Sequence, residues 1–247
     1  MIVQRRIRKY QAPLHKYMLD GGMENKRAIS IAHRRWGKDE IALAVTFQAL
    51  IDRPATYWTC LPEFAQARKA IWSAVNPHTG LRRINEAFPE ELREATNEGE
   101  MFIRFKNGAT WQVIGSDRYN SLVGASVAGV TFSEWALANP SAWGYISPML
   151  RENNGWAMFV TTPRGKNHAY EMYNYGLKTD GWFSEISNVV DTGAFAEAQL
   201  DEIRAEYVAL YGGDFGAAQF EQEYMCSFEA AILGSFYGTE LSVARSE

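Results

Sequence analysis

Residues 28–39 read Ala-Ile-Ser-Ile-Ala-His-Arg-Arg-Trp-Gly-Lys-Asp. The small and apolar residues at the start are typical of a buried strand, and Gly37-Lys38 then opens a helical pattern, so the stretch predicts a strand, a phosphate-binding loop and a helix. In the usual form of this loop, Gly-Lys is followed by Ser or Thr. That hydroxyl supplies an oxygen to Mg²⁺, while the Lys reaches the β- and γ-phosphates. Here Asp39 takes the place of the hydroxyl.

A second predicted strand, residues 127–132, ends in Ser133-Glu134, where a Walker B segment usually has Asp-Glu. The carboxylate and the hydroxyl have therefore exchanged places between the two motifs. Mg²⁺ prefers oxygen ligands and commonly takes only one or two protein carboxylates. We predict that Asp39 and Ser133 hold Mg²⁺, directly or through water, and that Lys38 holds the β- and γ-phosphates of ATP.

Each motif is weak when it is taken alone. The loop lacks the first Gly of its pattern, which is Ala32 here, as well as the final Ser or Thr, and many ordinary strands end in polar residues. The two motifs support each other because each supplies the oxygen that the other has lost. The strand, the loop and the helix also follow one another in the order that points backbone N–H groups at a phosphate.

Composition limits the class of protein. With 247 residues, 47% of them hydrophobic, the chain can form one large domain or a core with a small appendage. Its formal charge of −4 gives no overall attraction to nucleic acid, so a polyanion would need a local basic patch or a ring of subunits. The two cysteines and four histidines show no metal-ligand spacing, which favours a reducing compartment without structural zinc. Without a long apolar run or a signal-peptide core, the chain is expected to be soluble and cytoplasmic.

Short apolar runs alternate with segments of helical periodicity. Residues 38–50 and 63–75 have apolar positions at helical spacing. The runs that we predict as buried strands are residues 28–32, 56–61, 127–132 and 156–161. Asn107-Gly108, between the alternating runs 101–105 and 110–114, predicts an antiparallel hairpin at the sheet edge. The pattern predicts an α/β fold with a mostly parallel central sheet flanked by helices and ligands at the carboxyl ends of the strands.

The pattern changes after residue 188. Residues 195–211 have the spacing of an amphipathic helix that Gly212-Gly213 ends, and residues 215–228 predict another helix. We interpret this part as a small helical subdomain and a candidate lid. The domains that we predict are an ATPase core over residues 1–188, the lid over residues 189–235 and the start of a linker over residues 236–247.

Six segments, in order along the chain, are similar to the motifs of one family. They are residues 9–14, 33–39, 58–62 with 66–68, 132–136, 161–165 and 220–228. Over about residues 9–235 the chain resembles the N-terminal ATPase domain of the large terminase subunit, the DNA-packaging motor of tailed bacteriophages. In that family the first segment recognises adenine, the second is the phosphate loop, the fourth is Walker B, the fifth is the coupling motif and the last leaves the lid.

The resemblance implies which residues surround the nucleotide. Gln11 is expected to contact adenine, with an ordinary surface glutamine as the alternative. The phosphate-loop residues expected to contact the nucleotide are His33, Arg34, Arg35, Trp36, Gly37, Lys38 and Asp39.

Two residues at strand ends are candidates for catalysis. Glu134 lies one residue beyond the metal ligand, so it is expected to orient and activate the attacking water; the alternative is an exposed acid at the end of a strand. Thr162, with Thr161, is expected to sense the γ-phosphate and to pass its loss to residues 163–165. A plain junction between strand and turn would explain the same Pro and Gly.

The arginines have several interpretations. Arg34 and Arg35 are candidates for a catalytic arginine in cis, unless they pair with Glu134 or with an acid of the lid. Members of the resembled family often have Leu-Arg-Gly ahead of Walker B, where the Arg is a candidate finger for the neighbouring subunit, but residues 121–124 here read Ser-Leu-Val-Gly. Possible substitutes, each with a surface role as the alternative, are Arg118, Arg151 and Arg164. Candidates for contact with DNA, or for a solvated basic face, are Arg82, Arg83, Arg104 and Lys106.

The resemblance implies a P-loop NTPase fold of the ASCE type, and an ATPase that drives double-stranded DNA into a procapsid as a homomeric ring. The implied partners are the portal protein and the small terminase subunit, in the host cytoplasm. The chain ends near residues 234–238, where the nuclease domain of such proteins would begin, so no nuclease activity is expected in this chain. The alternatives are another DNA-dependent ATPase, such as a helicase-like translocase, or an assembly subunit that binds nucleotide without hydrolysis, because Asp39 adds negative charge near the phosphates. Whether the isolated chain forms a ring or stays a monomer is left open.

Overall fold

An eight-stranded sheet forms the centre of the protein in the computed structural model, which describes residues 7–122 and 124–229. The strands are β1 Arg27–Ala32, β2 Thr56–Leu61, β3 Arg93–Asn97, β4 Phe102–Phe105, β5 Thr110–Gly115, β6 Gly129–Ser133, β7 Trp156–Thr161 and β8 Trp182–Ser187. Their order across the sheet is β3-β4-β5-β2-β6-β7-β1-β8. All neighbours from β5 to β8 in that order run parallel, whereas β4 runs antiparallel to both β3 and β5.

Helices cover both faces of the sheet. They are α1 Ala12–Leu19, α2 Lys38–Asp52, α3 Phe64–Ala67, α4 Arg83–Ala87, α5 Ser141–Glu152, α6 His168–Leu177, α7 Val189–Thr192, α8 Glu197–Tyr211 and α9 Gly213–Glu223. Buried residues of α1 and α2 pack on one face, and those of α5 and α6 pack on the other. Within the two described ranges, no helix is both long and apolar enough to cross a bilayer.

Strand β1 shows how the sequence divides between the two faces. Ala28 and Ala32 belong to the cluster under α1 and α2, whereas Ile29 and Ile31 belong to the cluster under α5 and α6. Successive side chains of a strand point to opposite faces, so a central parallel strand must be apolar or small at every position. All six residues of β1 are buried accordingly.

The predicted α/β fold class, with its mostly parallel sheet, flanking helices and antiparallel edge hairpin, is confirmed. The four predicted strands are present, although the one predicted at 127–132 is observed at Gly129–Ser133. In the hairpin, Phe102 lies opposite Gln112 and Ile103 lies opposite Trp111. The helix predicted over 63–75 is wrong in detail, because α3 passes into a π-helical turn over Arg68–Trp72.

Two strands were not predicted. The edge strand β3 has four exposed residues out of five, and the other edge strand β8 is only partly buried, so neither has an apolar run. An edge strand can satisfy its backbone in the sheet without burying a continuous set of side chains.

The helices after β8 pack mainly on one another. Val189, Phe220 and Tyr224 form a small cluster, and α8 has no buried residue. The helix predicted over 215–228 is observed at Gly213–Glu223, so both of its predicted ends are wrong. It begins at Gly213 because Gly212, with φ of 88°, ends α8. The domain boundaries stay a prediction. Residues 230–247, which include the end of the predicted lid and the predicted linker, lie outside the described residues.

The parallel strands bring the predicted site residues to one edge of the sheet. In the register of the sheet, Ser133 of β6 lies beside Val160 of β7, and Thr161 of β7 lies beside Ile31 of β1. The carboxyl ends of β1, β6 and β7 therefore open on the same crevice, which is the usual ligand position in such sheets.

Close contact between β6 and β7 depends on Gly129. A Cβ at this position would overlap the buried ring of Trp156. We expect Gly129→Ala to lower the free energy of unfolding by about 1–3 kcal/mol, because a large ring in a packed core would have to move. Gly144→Ala is the matched control, since Gly144 is exposed in α5 and a Cβ there meets nothing within 4 Å. Similar unfolding midpoints of the two variants in urea would contradict the prediction.

Candidate active site

The loop between β1 and α2 requires a glycine at its end. Gly37 caps α2 with φ of 92°, in the left-handed region that favours glycine. A Cβ there would lie 2.8 Å from Nε2 of Gln11 and 2.9 Å from Nη1 of Arg8, so a larger residue does not fit without a shift of both side chains. The first turn of α2 has backbone N–H groups without a carbonyl partner in the helix. Such groups can bind an anion.

A cavity of about 880 Å³ lies in front of this loop. One side is formed by the loop and by the ends of β6 and β7, including Lys38, Glu134 and Thr162. Residues 76–79 and Arg83 also line the cavity. A volume of this size is typical of sites for nucleotides and other small ligands.

The exchanged pair of residues meets at the wall of the cavity, which Asp39 lines. The Ser133 hydroxyl donates a hydrogen bond of 2.6 Å to Oδ1 of Asp39. Ser133 is buried, and the Asp39 side chain keeps 27% of its surface exposed. Burial raises the pKa of Asp39 above its ordinary value, and the hydrogen bond from Ser133 opposes that shift. The structure therefore brings together the two side chains that the sequence predicted as metal ligands.

Lys38, Glu134 and Thr162 also lie together, as predicted. The Lys38 ammonium donates a hydrogen bond of 2.8 Å to the Thr162 hydroxyl and lies 3.7 Å from Oε1 of Glu134. Glu134 has φ of 54°, which is uncommon for a residue other than glycine and is frequent at functional sites. Its side chain is 29% exposed, so it is not the fully exposed acid of the alternative. Thr161 is different, because its hydroxyl is buried against the backbone of Ala136 and Thr162.

The oxygen atoms of Asp39 and Ser133 fit a magnesium site. One carboxylate and one hydroxyl next to a helix N-terminus leave room for phosphate oxygens and water, which Mg²⁺ commonly retains. Within the described ranges, no group of three or more His, Cys, Asp or Glu is placed to hold a metal ion by itself. A cation here would therefore need a bound phosphate or water to complete its shell.

The side chains of His33 and Trp36 point into the protein. His33 Nε2 lies 2.9 Å from the Thr192 hydroxyl, and the Trp36 indole donates a bond of 2.8 Å to the Ser187 hydroxyl. Neither residue is among the described residues that line the cavity. Both side chains therefore anchor the loop. Their backbone N–H groups are also occupied, because that of His33 donates to the Ser187 carbonyl and that of Trp36 donates to the His33 carbonyl. A contact of either residue with the nucleotide stays a prediction.

Gln11 also supports the loop. It is 3% exposed, so the alternative of a surface glutamine is wrong. Its amide nitrogen donates to the carbonyl oxygens of Trp36 and Gly37, at 3.0 and 3.3 Å, and its oxygen accepts from the backbone of Arg8 at 3.1 Å. Gln11 borders the cavity, and a contact with adenine stays a prediction.

The loop arginines have different surroundings. The Arg34 guanidinium lies 3.6 Å from Oε2 of Glu223 at the end of α9, which is the pairing with a lid acid that was the alternative to a catalytic role. Arg35 is exposed and has φ of 68°. Arg164 also contacts Glu223, within its own chain. The possible fingers Arg118 and Arg151 are exposed, and their role stays a prediction.

The adjacent arginines at the start of α4, Arg82 and Arg83, both pair with acids. Arg82 pairs with Glu98 at 2.8 Å, and this contact lowers the pKa of Glu98 to about 2. Arg83 lies 3.7 Å from Oδ2 of Asp39 and 3.6 Å from Oε1 of Glu40, so it borders the site. Its interpretation as a DNA contact stays a prediction. Arg104 and Lys106 are exposed, as either of their interpretations requires.

Two residues of the site were missed by the sequence analysis. Arg83 supplies a positive charge to Asp39, and Glu223 joins two arginines of the cavity. No motif contains Arg83, and Glu223 lies in the segment 220–228 without a role assigned to it, since an acid or arginine in a helix is common at any surface. The only feature of the sequence that could have indicated Arg83 was Asp39, because its negative charge needs a cation nearby.

The pH dependence of stability should report on the buried His33. Burial lowers its pKa below the ordinary 6.5, so the folded protein binds fewer protons at this residue than the unfolded chain does. Stability rises with pH wherever the unfolded state binds more protons, so the protein should lose stability as the pH falls below about 6.5. His33→Gln should show a flatter pH dependence in urea unfolding between about pH 7.5 and 5. Equal slopes for both proteins would exclude this contribution.

Comparisons with known proteins identify the family and agree with the fold. The family described as "Terminase large subunit, T4likevirus-type, N-terminal" matches residues 30–242. The chain is 28% identical over 243 residues to the large terminase subunit of Thermus phage G20c, a match that covers 88% of this chain and 49% of that protein. The chain thus spans about half the length of the curated relatives that it matches.

Solved structures share the fold. The large terminase ATPase domain of Thermus phage P74-26 has a TM-score of 0.70 at 21% identity, over 92% of this chain and 96% of that one. The large terminase of a thermophilic bacteriophage, in complex with ADP, has a TM-score of 0.65 at 15% identity, over 90% of this chain and 54% of that one. These likenesses confirm the predicted P-loop NTPase (ASCE) fold. Because the family pattern matches most of its length, the chain belongs to the N-terminal domains of T4-like-virus-type terminase large subunits.

Proposed function

We propose that the chain binds ATP with Mg²⁺ and hydrolyses it. The observation that carries this proposal is the hydrogen bond between Ser133 and Asp39, directly beside Lys38 and the start of α2. A working metal site needs a carboxylate and a hydroxyl in contact at this place, whichever of the two motifs supplies each of them. The large terminase of the thermophilic bacteriophage, which shares the fold, is described in complex with ADP, and this supports a nucleotide as the ligand.

Each residue has a role that follows from its place. Lys38 is positioned to hold phosphate oxygens, and Asp39 with Ser133 is positioned to hold Mg²⁺ directly or through water. Bound Mg²⁺ would offset the combined negative charge of the phosphates and Asp39. Glu134 is the residue that orients and activates the attacking water, and Thr162, bonded to Lys38, is placed to respond to loss of the terminal phosphate.

We infer that the ATPase is the motor domain of a phage DNA-packaging machine. Membership of the terminase family and the likeness to the P74-26 domain, which is described as a large terminase ATPase domain, support this inference. Its substrate would be double-stranded DNA, moved in the host cytoplasm by a homomeric ring that works with the portal protein and the small terminase subunit. An arginine from a neighbouring subunit, with Arg118, Arg151 or Arg164 as the candidates, would complete the site in that ring.

The proposed metal site is tested by replacing its two residues singly and by swapping the residue types at positions 39 and 133. Asp39→Ala and Ser133→Ala should each lower Mg²⁺-dependent ATP turnover by at least about tenfold, the smaller end of losses seen at residues that support a metal site. The double exchange Asp39→Ser with Ser133→Asp restores the usual order of the two motifs and should recover most of the lost turnover. ATP turnover is measured as the rate of phosphate release at saturating Mg²⁺. A double variant as inactive as the single ones, although it still binds nucleotide, would favour the non-hydrolysing alternative.

Translocation can be tested with a duplex that carries a triplex-forming third strand. With procapsids, portal and ATP, the wild-type protein should displace the third strand and leave the duplex intact. Glu134→Gln keeps the phosphate and metal residues and is the matched control; its turnover should fall about 100-fold or more, so displacement should stop. Separation of the two duplex strands on a forked substrate would instead support a helicase-like translocase.

A further inference from the structure

Arg83, the first residue of α4, reaches the carboxylate of Asp39. Its Nη1 lies 3.7 Å from Oδ2 of Asp39, whereas Oδ1 accepts the hydrogen bond of 2.6 Å from the Ser133 hydroxyl. The two oxygens of this carboxylate therefore have different partners, a guanidinium group and a neutral hydroxyl. A positive charge already lies beside the residue that is proposed to bind Mg²⁺.

The backbone around Arg83 is firmly held. Its N–H donates a bond of 2.8 Å to the Ala74 carbonyl, and the next residue, Ile84, is fully buried. The Ile84 carbonyl in turn accepts a bond of 3.0 Å from the Arg93 guanidinium. A change at Asp39 is therefore met by movement of the long Arg83 side chain rather than by movement of α4.

The Arg83 side chain has a second acid within reach. Its Nε lies 3.6 Å from Oε1 of Glu40, the residue after Asp39 in α2. The side chains of Arg83 and Glu40 are 29% and 39% exposed, so water can solvate the guanidinium when it leaves Asp39. Partly exposed ion pairs contribute little free energy, and this change of partners costs correspondingly little.

A divalent cation and the Arg83 guanidinium compete for Asp39. Like charges beside one carboxylate repel each other, and an arginine does not lose its proton to relieve the repulsion. Mg²⁺ also needs oxygen ligands, which a guanidinium cannot supply. Binding of the metal to Asp39 therefore requires the Arg83 side chain to move away from Oδ2. A triphosphate favours this step, because its negative charge offsets both cations.

We propose that Arg83 takes the place of the metal beside Asp39 until nucleotide binds, and that it thereby keeps the affinity for a divalent cation low unless a polyphosphate is present. The inference deepens the proposed function, since it concerns the metal of the same site. Arg83 is a positioning residue, which acts on the metal through the carboxylate of Asp39. Its consequence is that Mg²⁺ enters the cavity together with the nucleotide.

The test compares Arg83→Gln with Arg82→Gln, a matched control from the adjacent position. Arg82 also pairs with an acid, Glu98 at 2.8 Å, and its side chain is 32% exposed against 29% for Arg83. Unlike Arg83, it is not among the described residues that line the cavity. Electron paramagnetic resonance measures the affinity for Mn²⁺ without nucleotide. Calorimetry measures the affinity for the non-hydrolysable analogue AMP-PNP without metal.

Arg83→Gln should bind Mn²⁺ roughly tenfold more tightly than the wild type, the lower end of what one neighbouring charge does to the binding of a proton by a carboxylate. It should bind metal-free AMP-PNP roughly threefold more weakly, because a partly exposed positive charge has left the cavity. Arg82→Gln should match the wild type in both affinities, and Arg83→Lys, which keeps the charge, should keep the low Mn²⁺ affinity. A merely structural role would change both affinities in the same direction.

Two results would overturn the inference. One is Mn²⁺ binding by Arg83→Gln that is equal to or weaker than that of the wild type. The other is Mn²⁺ binding that survives in Asp39→Ala, since the metal would then lie elsewhere. A wild-type protein that binds Mn²⁺ through Asp39 but neither binds nor hydrolyses ATP would instead overturn the proposed function, and it would leave the competition between Arg83 and the metal intact.

The arginine Nε–H resonances of the wild type provide a second measurement should Arg83→Gln fold poorly. Titration with diamagnetic Mg²⁺ should shift the Arg83 resonance and leave that of Arg82 in place, because only Arg83 has to leave a metal ligand. The variants Arg83→Lys and Arg82→Lys identify the two signals by their loss. An Arg83 resonance that does not move at saturating Mg²⁺ would contradict the inference.

Discussion

The hydrogen bond between Ser133 and Asp39 joins the end of β6 to the first turn of α2, and the rest of the site is arranged around it. It forms because parallel strands bring their carboxyl ends to one edge, where the loop after β1 turns into a helix. The carboxylate is partly removed from water, so nearby positive charge is required. Lys38 and Arg83 supply that charge from two directions.

The loop in front of α2 is held by side chains rather than by its own backbone alone. Gln11 bonds to two loop carbonyls, Trp36 is fixed to Ser187, and His33 is fixed to Thr192. These contacts come from the segment before β1 and from the region at and after β8. A loop with such anchors can present its N–H groups to a phosphate at little cost in conformational freedom, which is the physical meaning of a preorganised site.

The fold was predictable where the deciding residues are consecutive in sequence. The apolar run of β1, then Gly37 and Lys38, define a strand, a turn and a helix without any distant contact. The edge strand β3 was not predictable, because exposed edge residues need not be apolar. The inward position of Trp36 and the contacts of Glu223 were not predictable either. Both depend on segments that are far apart in the chain, and a single sequence does not show which acid meets which arginine.

The contact between residues 39 and 133 also constrains how such a site can arise in evolution. From the usual arrangement, one substitution at a time passes either through a site with no carboxylate or through one with two carboxylates facing each other. The second intermediate is the easier one to tolerate, since a shared cation or proton can hold two acids together. A lineage that already binds a divalent ion can therefore cross this step. A motif search that judges each position separately rejects the result, whereas one that scores the two positions jointly retains it.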